Sequence, residues 1–259
     1  MAFPAGWLAP DWPAPSNVRA ACSVRAGGVS AAPYESLNLG DHVGDVPGDV
    51  AINRARYSQA LDAKPVFMRQ VHGWHVQKLE ADTPDAIEAD GCVATSRRVA
   101  CTIMVADCMP VLFATRDGRA VAAAHAGWRG LAGDAGRGVI ESTLERLRAA
   151  RKVETDPGEV LVWLGPCIGP TAFEVGPEVK AAFEATDAGA ATCFAPHSPG
   201  KYLADLPALA RRRLVALGIT AVYGNDGTAP WCTVGNPSIF FSHRRDRVSG
   251  RFAASVWLA

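Results

Sequence analysis

The chain has 259 residues, 49% of them hydrophobic, with 26 lysines and arginines balanced by 26 aspartates and glutamates. Balanced charge gives no electrostatic case for nucleic acid or an anionic membrane surface as partner, and no stretch approaches the roughly 20 apolar residues of a membrane span. The length suffices for one large core, and no linker, charge block or repeat marks a boundary, so one domain over residues 1–259 is expected.

The opening, Met1-Ala-Phe-Pro-Ala-Gly-Trp-Leu-Ala-Pro10, lacks the basic start and continuous apolar stretch of a secretory leader. Seven cysteines without framework spacing suit a reducing compartment, so a cytoplasmic location is expected. Residues 49–61 read as a helix with Ile52, Tyr57 and Leu61 on or near one face. Residues 65–71 read as a strand leading to His72. Residues 101–106 form a short apolar run, a buried strand that ends at Asp107-Cys108. Residues 111–115 continue extended, Asp117-Gly118 is a hairpin signal, and residues 120–125 return. With the turn at 117 and 118, His125 lies opposite position 110, and Cys108 is its diagonal neighbour on the same face. Such neighbours stand roughly 7–8 Å apart, within reach of one ion. Pro110 is the weak point, because it cannot donate to a ladder and invites a bulge.

A helical apolar stripe covers residues 130–150, and another helix covers 207–217, with Asp205 as candidate cap and Gly218 at its end. Strands are expected at 160–164, 219–223, 239–242 and 252–258. A hairpin among alternating helices and strands favours a mixed α+β fold over a doubly wound parallel sheet.

His72, Cys108 and His125 each sit in a distinctive setting: Arg69-Gln-Val-His72-Gly, Ala106-Asp-Cys108-Met-Pro110 and Ala124-His125-Ala-Gly-Trp-Arg-Gly130. Two imidazoles and a thiolate suit zinc, a borderline-soft metal, and three protein ligands leave a fourth position open for a water or substrate atom. Nothing in the spacing brings His72 to the hairpin. His75 would face the other way on a continuing strand and is read as a non-ligand. His42, in a Gly- and Asp-rich loop, either lines a pocket or stabilises a turn. His197 reads as an exposed loop residue. Cys22, Cys92, Cys101, Cys193 and Cys232 read as core fillers, and Cys167 as part of a turn whose backbone matters more than its thiol.

These three segments resemble the YfiH-like family, also called laccase-domain or polyphenol oxidoreductase-like proteins. So do Ser36-Leu-Asn-Leu-Gly-Asp-His-Val-Gly-Asp45, Leu164-Gly-Pro-Cys-Ile-Gly-Pro170, Phe173-Glu-Val-Gly176 and Phe240-Phe-Ser-His-Arg-Arg-Asp246. The resemblance covers the chain from about residue 36 to its end. It implies one catalytic domain of sheets packed between helices, with zinc held by His72, Cys108 and His125. It also implies phosphorolysis of adenosine, inosine, guanosine and methylthioadenosine, deamination of adenosine, and a link to peptidoglycan precursors. It implies, further, that His72, Cys108 and His125 are the catalytic residues as well as the metal ligands.

Phosphorolysis needs an anion site, and the chain has no Walker-type loop. Arg69, Arg244 and Arg245 are the candidates, with Arg129 beside the third ligand, because a guanidinium fork binds phosphate oxygens in pairs. On a strand only one of Arg244 and Arg245 would face inward. Asp107 would point away from the ion, either supporting a ligand from behind or serving a structural role. Two other readings stay open. A four-copper laccase needs about ten His ligands, against six in this chain, although Met104 and Met109 keep a single copper compatible. A hydrolase could instead use Cys108 as nucleophile with His125 as base, on a peptidoglycan precursor, and would need no metal.

Overall fold

The runs Val99–Val105, Met109–Thr115 and Phe252–Leu258 are buried at every position, so each needs cover on both faces. In the computed structural model, which describes residues 3–151 and 156–259, two large stacked sheets and two layers of helices supply it, and a third, small sheet runs in the order Phe194–Pro196, Tyr202–Ala204, Glu174–Val175. The two large sheets carry the site. Of the opening read above, Met1 and Ala2 lie outside the described residues. One large sheet runs in the order Val18–Cys22, Phe252–Leu258, Val99–Val105, Lys64–Phe67. The other runs Val222–Gly224, Val160–Leu164, Met109–Thr115, Val121–Ala126, Gly91–Ala94, Val76–Leu79. Both are mixed, with parallel pairs such as Lys64–Phe67 with Val99–Val105 beside antiparallel ones. This is the expected α+β class.

Strand alternation decides which layer each residue joins. Cys101, Ile103 and Val105 of the first sheet pack with Leu112, Ala114 and Ala123 of the second. The opposite parity, Val111, Phe113, Ala122 and Ala124, packs under Ile140, Leu144, Leu209 and Leu214 from the helices Val139–Arg151 and Leu206–Ala216. On the far side, Tyr57 and Leu61 of the helix Pro47–Leu61 cover Ala100, Met104 and Ala253. Among the described residues no helix is long and apolar enough to cross a membrane.

Several expectations shift. Asn53, rather than Ile52, is buried on the first helix, where its amide bonds Ser30, Ser36 and Asn38. The stretch 130–150 divides into Trp128–Ala132 and Val139–Arg151, because the N–H groups of Asp134 and Arg137 bond each other's carbonyls instead of the preceding turn. Residues 239–242 form no strand: the Ile239 and Phe240 N–H groups donate back to Asn236. The strand expected at 219–223 falls at Val222–Gly224, and that expected at 65–71 stops at Phe67. Asp205 caps its helix through the Ala208 N–H, as expected.

Pro110 makes no bulge, and the ladder pairs it with His125 in the expected register. Its nitrogen points toward Gly165, whose N–H donates to the Pro110 carbonyl. The Gly165 carbonyl, which a non-proline N–H would have reached, accepts the Asn225 amide instead.

Candidate metal centre

The centre forms where the chain changes sheets. Val99–Val105 belongs to the first sheet and Met109–Thr115 to the second, and Ala106, Asp107 and Cys108 make the crossing. Asp107 turns through a φ of 96°, which aims its carboxylate backward. There it accepts from Thr233 Oγ1 at 2.6 Å and from the Arg244 N–H at 2.6 Å. Asp107 thus ties the crossing to the C-terminal segment. Cys108 emerges half-buried beside His125, which sits near the end of Val121–Ala126.

His72 reaches the same place through side chains the sequence analysis did not single out. Past Phe67 the ladder is replaced by the Gln70 amide, which bonds both the N–H and the carbonyl of Met104 at 2.9 Å. Asp90, with its side chain wholly buried, then gathers the loop: it accepts the N–H groups of Val71, His72 and Gly73 at 3.2, 2.9 and 2.7 Å. The same carboxylate meets His125 Nδ1 at 2.8 Å. One buried anion therefore holds the backbone under one imidazole and the ring of another. With Nδ1–H donating to Asp90, His125 keeps Nε2 for a metal, the usual carboxylate–histidine arrangement. The bond network assigns this tautomer. The signal in the sequence was slight: an Asp before Gly91 at the head of an apolar strand.

The ligand atoms of His72, Cys108 and His125 all lie within 4.8 Å of one another. Cys108 Sγ is 3.7 Å from His72 Nε2, and the two imidazole centroids are 4.8 Å apart. Gly127 lies against them, where a Cβ would come within 2.9 Å of both Cys108 Sγ and His72 Cδ2. Among the described residues no other group of three His, Cys, Asp or Glu side chains converges in this way. A donor set of two nitrogens and one sulfur, without a fourth protein ligand, fits an open transition-metal site.

Electrostatics agree with a preformed anion. Burial pushes the Cys108 thiol up, but the adjacent His125 and His72 outweigh it and bring its pKa down to about 6. Burial pushes His125 down, yet Cys108 and Asp90 reverse this and raise it to about 9. Both shifts favour the thiolate–imidazolium form of the metal-free pair. Burial also works against the Asp90 carboxylate, but His125 and the loop N–H groups more than offset it.

The three side chains form part of the wall of a cavity of ≈ 360 Å³, with Ile168, Phe173 and Leu206 as its apolar side. Its arginines are Arg129, Arg244, Arg247 and Arg251, and among the described residues none has a carboxylate at ion-pair distance. Of the four arginines singled out from sequence, Arg244 and Arg129 line this wall, Arg129 from an exposed position and Arg244 half-buried. Arg244 donates to the Glu174 carbonyl and lies over the Phe173 ring at 5.6 Å. It occupies the helical turn His243–Asp246, not a strand. Arg245, one residue on, is held by Asp246 and by the carbonyls of Thr233, Val234 and Phe240. Arg69 pairs with Glu88 at 2.6 Å on the surface, outside the cavity.

His42 is exposed and lines the cavity; His75 is exposed and does not. His197 is exposed, 3.6 Å from Glu174. Met104 lines the cavity, whereas Met109 is buried in the core beneath the helices and offers no copper ligand there. Cys167 is buried in a backbone bridge to Cys232.

Comparison with known proteins accords with this geometry. Residues 19–259 match the family described as multi-copper polyphenol oxidoreductase laccase. A purine nucleoside phosphorylase of Pseudomonas aeruginosa is 50% identical over 254 residues, covering 97% of this chain and 98% of that protein. The purine nucleoside phosphorylase YfiH of Escherichia coli is 46% identical over 253 residues, again 97% and 98%. Among solved structures, a Neisseria meningitidis protein superposes with a TM-score of 0.88 at 45% identity, covering 98% of this chain and 99% of that one. YlmD of Geobacillus stearothermophilus also gives 0.88, at 31% identity, covering 100% and 98%. The chain belongs to this laccase-like YfiH family.

Proposed function

We propose that the chain, acting as one catalytic domain, is a zinc-dependent purine nucleoside phosphorylase that also deaminates adenosine. Its substrates on this reading are adenosine, inosine, guanosine and methylthioadenosine, with orthophosphate as co-substrate. The observation that carries it is the convergence of His72, Cys108 and His125 on a cavity whose four arginines have no carboxylate partner among the described residues. The names of the relatives supply the reaction class.

His72, Cys108 and His125 would hold the zinc, which supplies Lewis acidity at its open position. A phosphate oxygen attacks C1′ of the nucleoside, the C1′–N9 bond breaks, and its electron pair leaves with the purine. The base takes up the proton that the attacking phosphate gives up, and ribose 1-phosphate remains. Arg244, on the cavity wall, neutralises charge on the phosphate, while Ile168, Phe173 and Leu206 exclude water from the base. Release of adenine from adenosine should require phosphate and yield ribose 1-phosphate. Arg244→Ala should raise the phosphate KM with zinc still bound. Hydrolysis to free ribose without phosphate would sink the reading. The family's description names a multi-copper oxidase, but a single three-ligand cluster converges among the described residues, which is too few ligands for several coppers; copper, not zinc, in protein purified without added metal would favour a one-copper site.

A second reading draws on the same geometry: Cys108, His125 and Asp90 form a thiol–imidazole–carboxylate series like that of cysteine hydrolases. In a zinc protein Cys108 resists alkylation until a chelator removes the metal. A metal-free, fully active protein that traps a covalent adduct at Cys108 decides for the hydrolase.

A further inference from the structure

The segment Ser36–Asp45 is among the most distinctive in the sequence, and nothing in the reaction above uses it. Its interior residues bond the C-terminal segment. Asn38 is fully buried and its Oδ1 accepts the Arg251 N–H at 2.8 Å; the Leu39 N–H donates to the Arg251 carbonyl at 2.9 Å. Asn38 is itself fixed by its amide N–H groups, which donate to Asp45 and to the Gly40 carbonyl. The aliphatic stem of Arg251 lies so close to Gly40 that a Cβ there would stand 2.8 Å from its Cγ. The loop therefore seats this one arginine.

The guanidinium that results, like that of Arg244 on the same cavity wall, hydrogen-bonds only backbone carbonyls among the described residues. Nη1 donates to the carbonyls of Ser249 and Gly250 at 2.8 and 3.1 Å, which anchors the group by one corner. Among the described residues, Nε and Nη2 have no hydrogen-bond partner, and no carboxylate pairs with the group. Burial disfavours its charge, while Cys108 and Asp107 are the anions that act most to restore it. His42, carried by the same loop, lines the same cavity, and Arg251 is a principal cation opposing its protonation. Arg129 and Arg247, by contrast, are exposed at the rim.

We propose that Arg251 is the anchor of an orthophosphate subsite, positioned by the Ser36–Asp45 loop and completed by His42. This rests on the phosphorylase reading and deepens it. A half-buried guanidinium with two unpartnered N–H edges matches the paired oxygens of a phosphate, and among the described residues no carboxylate competes for it. Arg251 thus supplies the fork, and Arg244 the second positive charge.

The test titrates inorganic phosphate into the protein as purified, without nucleoside, followed by calorimetry. Arg251→Gln should raise the phosphate Kd at least ten-fold, and Arg251→Lys, which keeps charge but not the fork, should fall between it and wild type. Arg146→Gln, on an exposed helix face, should match wild type. In phosphorolysis the phosphate KM should follow the same order, with nucleoside KM and metal content unchanged. A wild-type phosphate Kd in folded Arg251→Gln overturns the proposal. If that variant does not fold, His42→Ala on the exposed loop reads the same subsite: a several-fold rise supports it and an unchanged Kd overturns it. Phosphate binding that depends on Arg251 in a protein that cleaves no nucleoside would uphold the subsite and defeat the phosphorylase reading. Arg251-dependent binding of a nucleoside 5′-monophosphate in place of free phosphate would overturn the orthophosphate assignment.

Discussion

Cys108 and His125 flank a buried hairpin, whereas His72 rides an exposed loop, and the two supports work by different means. The hairpin is held by a ladder of main-chain bonds in one register, with every residue of Met109–Thr115 and Val121–Ala126 buried. The loop has no ladder. His72 adopts a φ of 63°, unusual for a side chain of this size, and depends on Gln70 and above all on Asp90. Half of the site is thus rigid by construction, and the other half is tethered by one carboxylate. Such a site can be dismantled without replacing any of its three ligands, by removing Asp90.

The strongest way to break this contrast is Asp90→Ala, which strands the loop N–H groups and the His125 ring at once. Removing one partner of a buried charged pair costs about 3–5 kcal/mol. A large drop in melting temperature should accompany loss of the metal, read by elemental analysis. By comparison His72→Ala should lose metal with little change in melting temperature. Equal melting temperatures for the two variants would show that the loop is not tethered as described.

A smaller effect is expected at Gly127, where the two halves meet. Gly127→Ala puts a methyl against both Cys108 Sγ and His72 Cδ2. The rigid hairpin cannot yield, so His72 must move, and metal affinity should fall by about ten-fold, the low end for disturbed outer-shell support. An unchanged metal affinity would mean that the loop adjusts freely.

The pH dependence of Cys108 in metal-free protein sharpens the hairpin side. Its thiol pKa is lowered to about 6, so the reactive thiolate dominates above that pH and is lost below it. Alkylation should rise through pH 6 and level off by neutrality, whereas an ordinary cysteine, with a pKa of about 8.5, is still gaining rate at pH 8. Continued rise beyond pH 8 would remove the imidazolium partner from the account. The smallest effect belongs to His75→Ala. That side chain is exposed and outside the cluster, so metal content and melting temperature should match wild type.

The sequence by itself determined what repeats locally. Apolar runs marked the buried strands, and the Asp117-Gly118 turn set a register that places His125 opposite Pro110. Asp205 announced a cap that the helix uses. Each of these follows from a period of two or 3.6, or from a bond spanning a few residues, so the neighbours in the chain carry the information. Tertiary structure alone decided that His72 joins the hairpin through Asp90, 18 residues away. It decided too that Arg244 faces the cavity while Arg245 is tied into the backbone. Both outcomes depend on single polar bonds between distant segments in a buried place. Such a bond has no period, and its partner is settled only when the two sheets and their connections close around it.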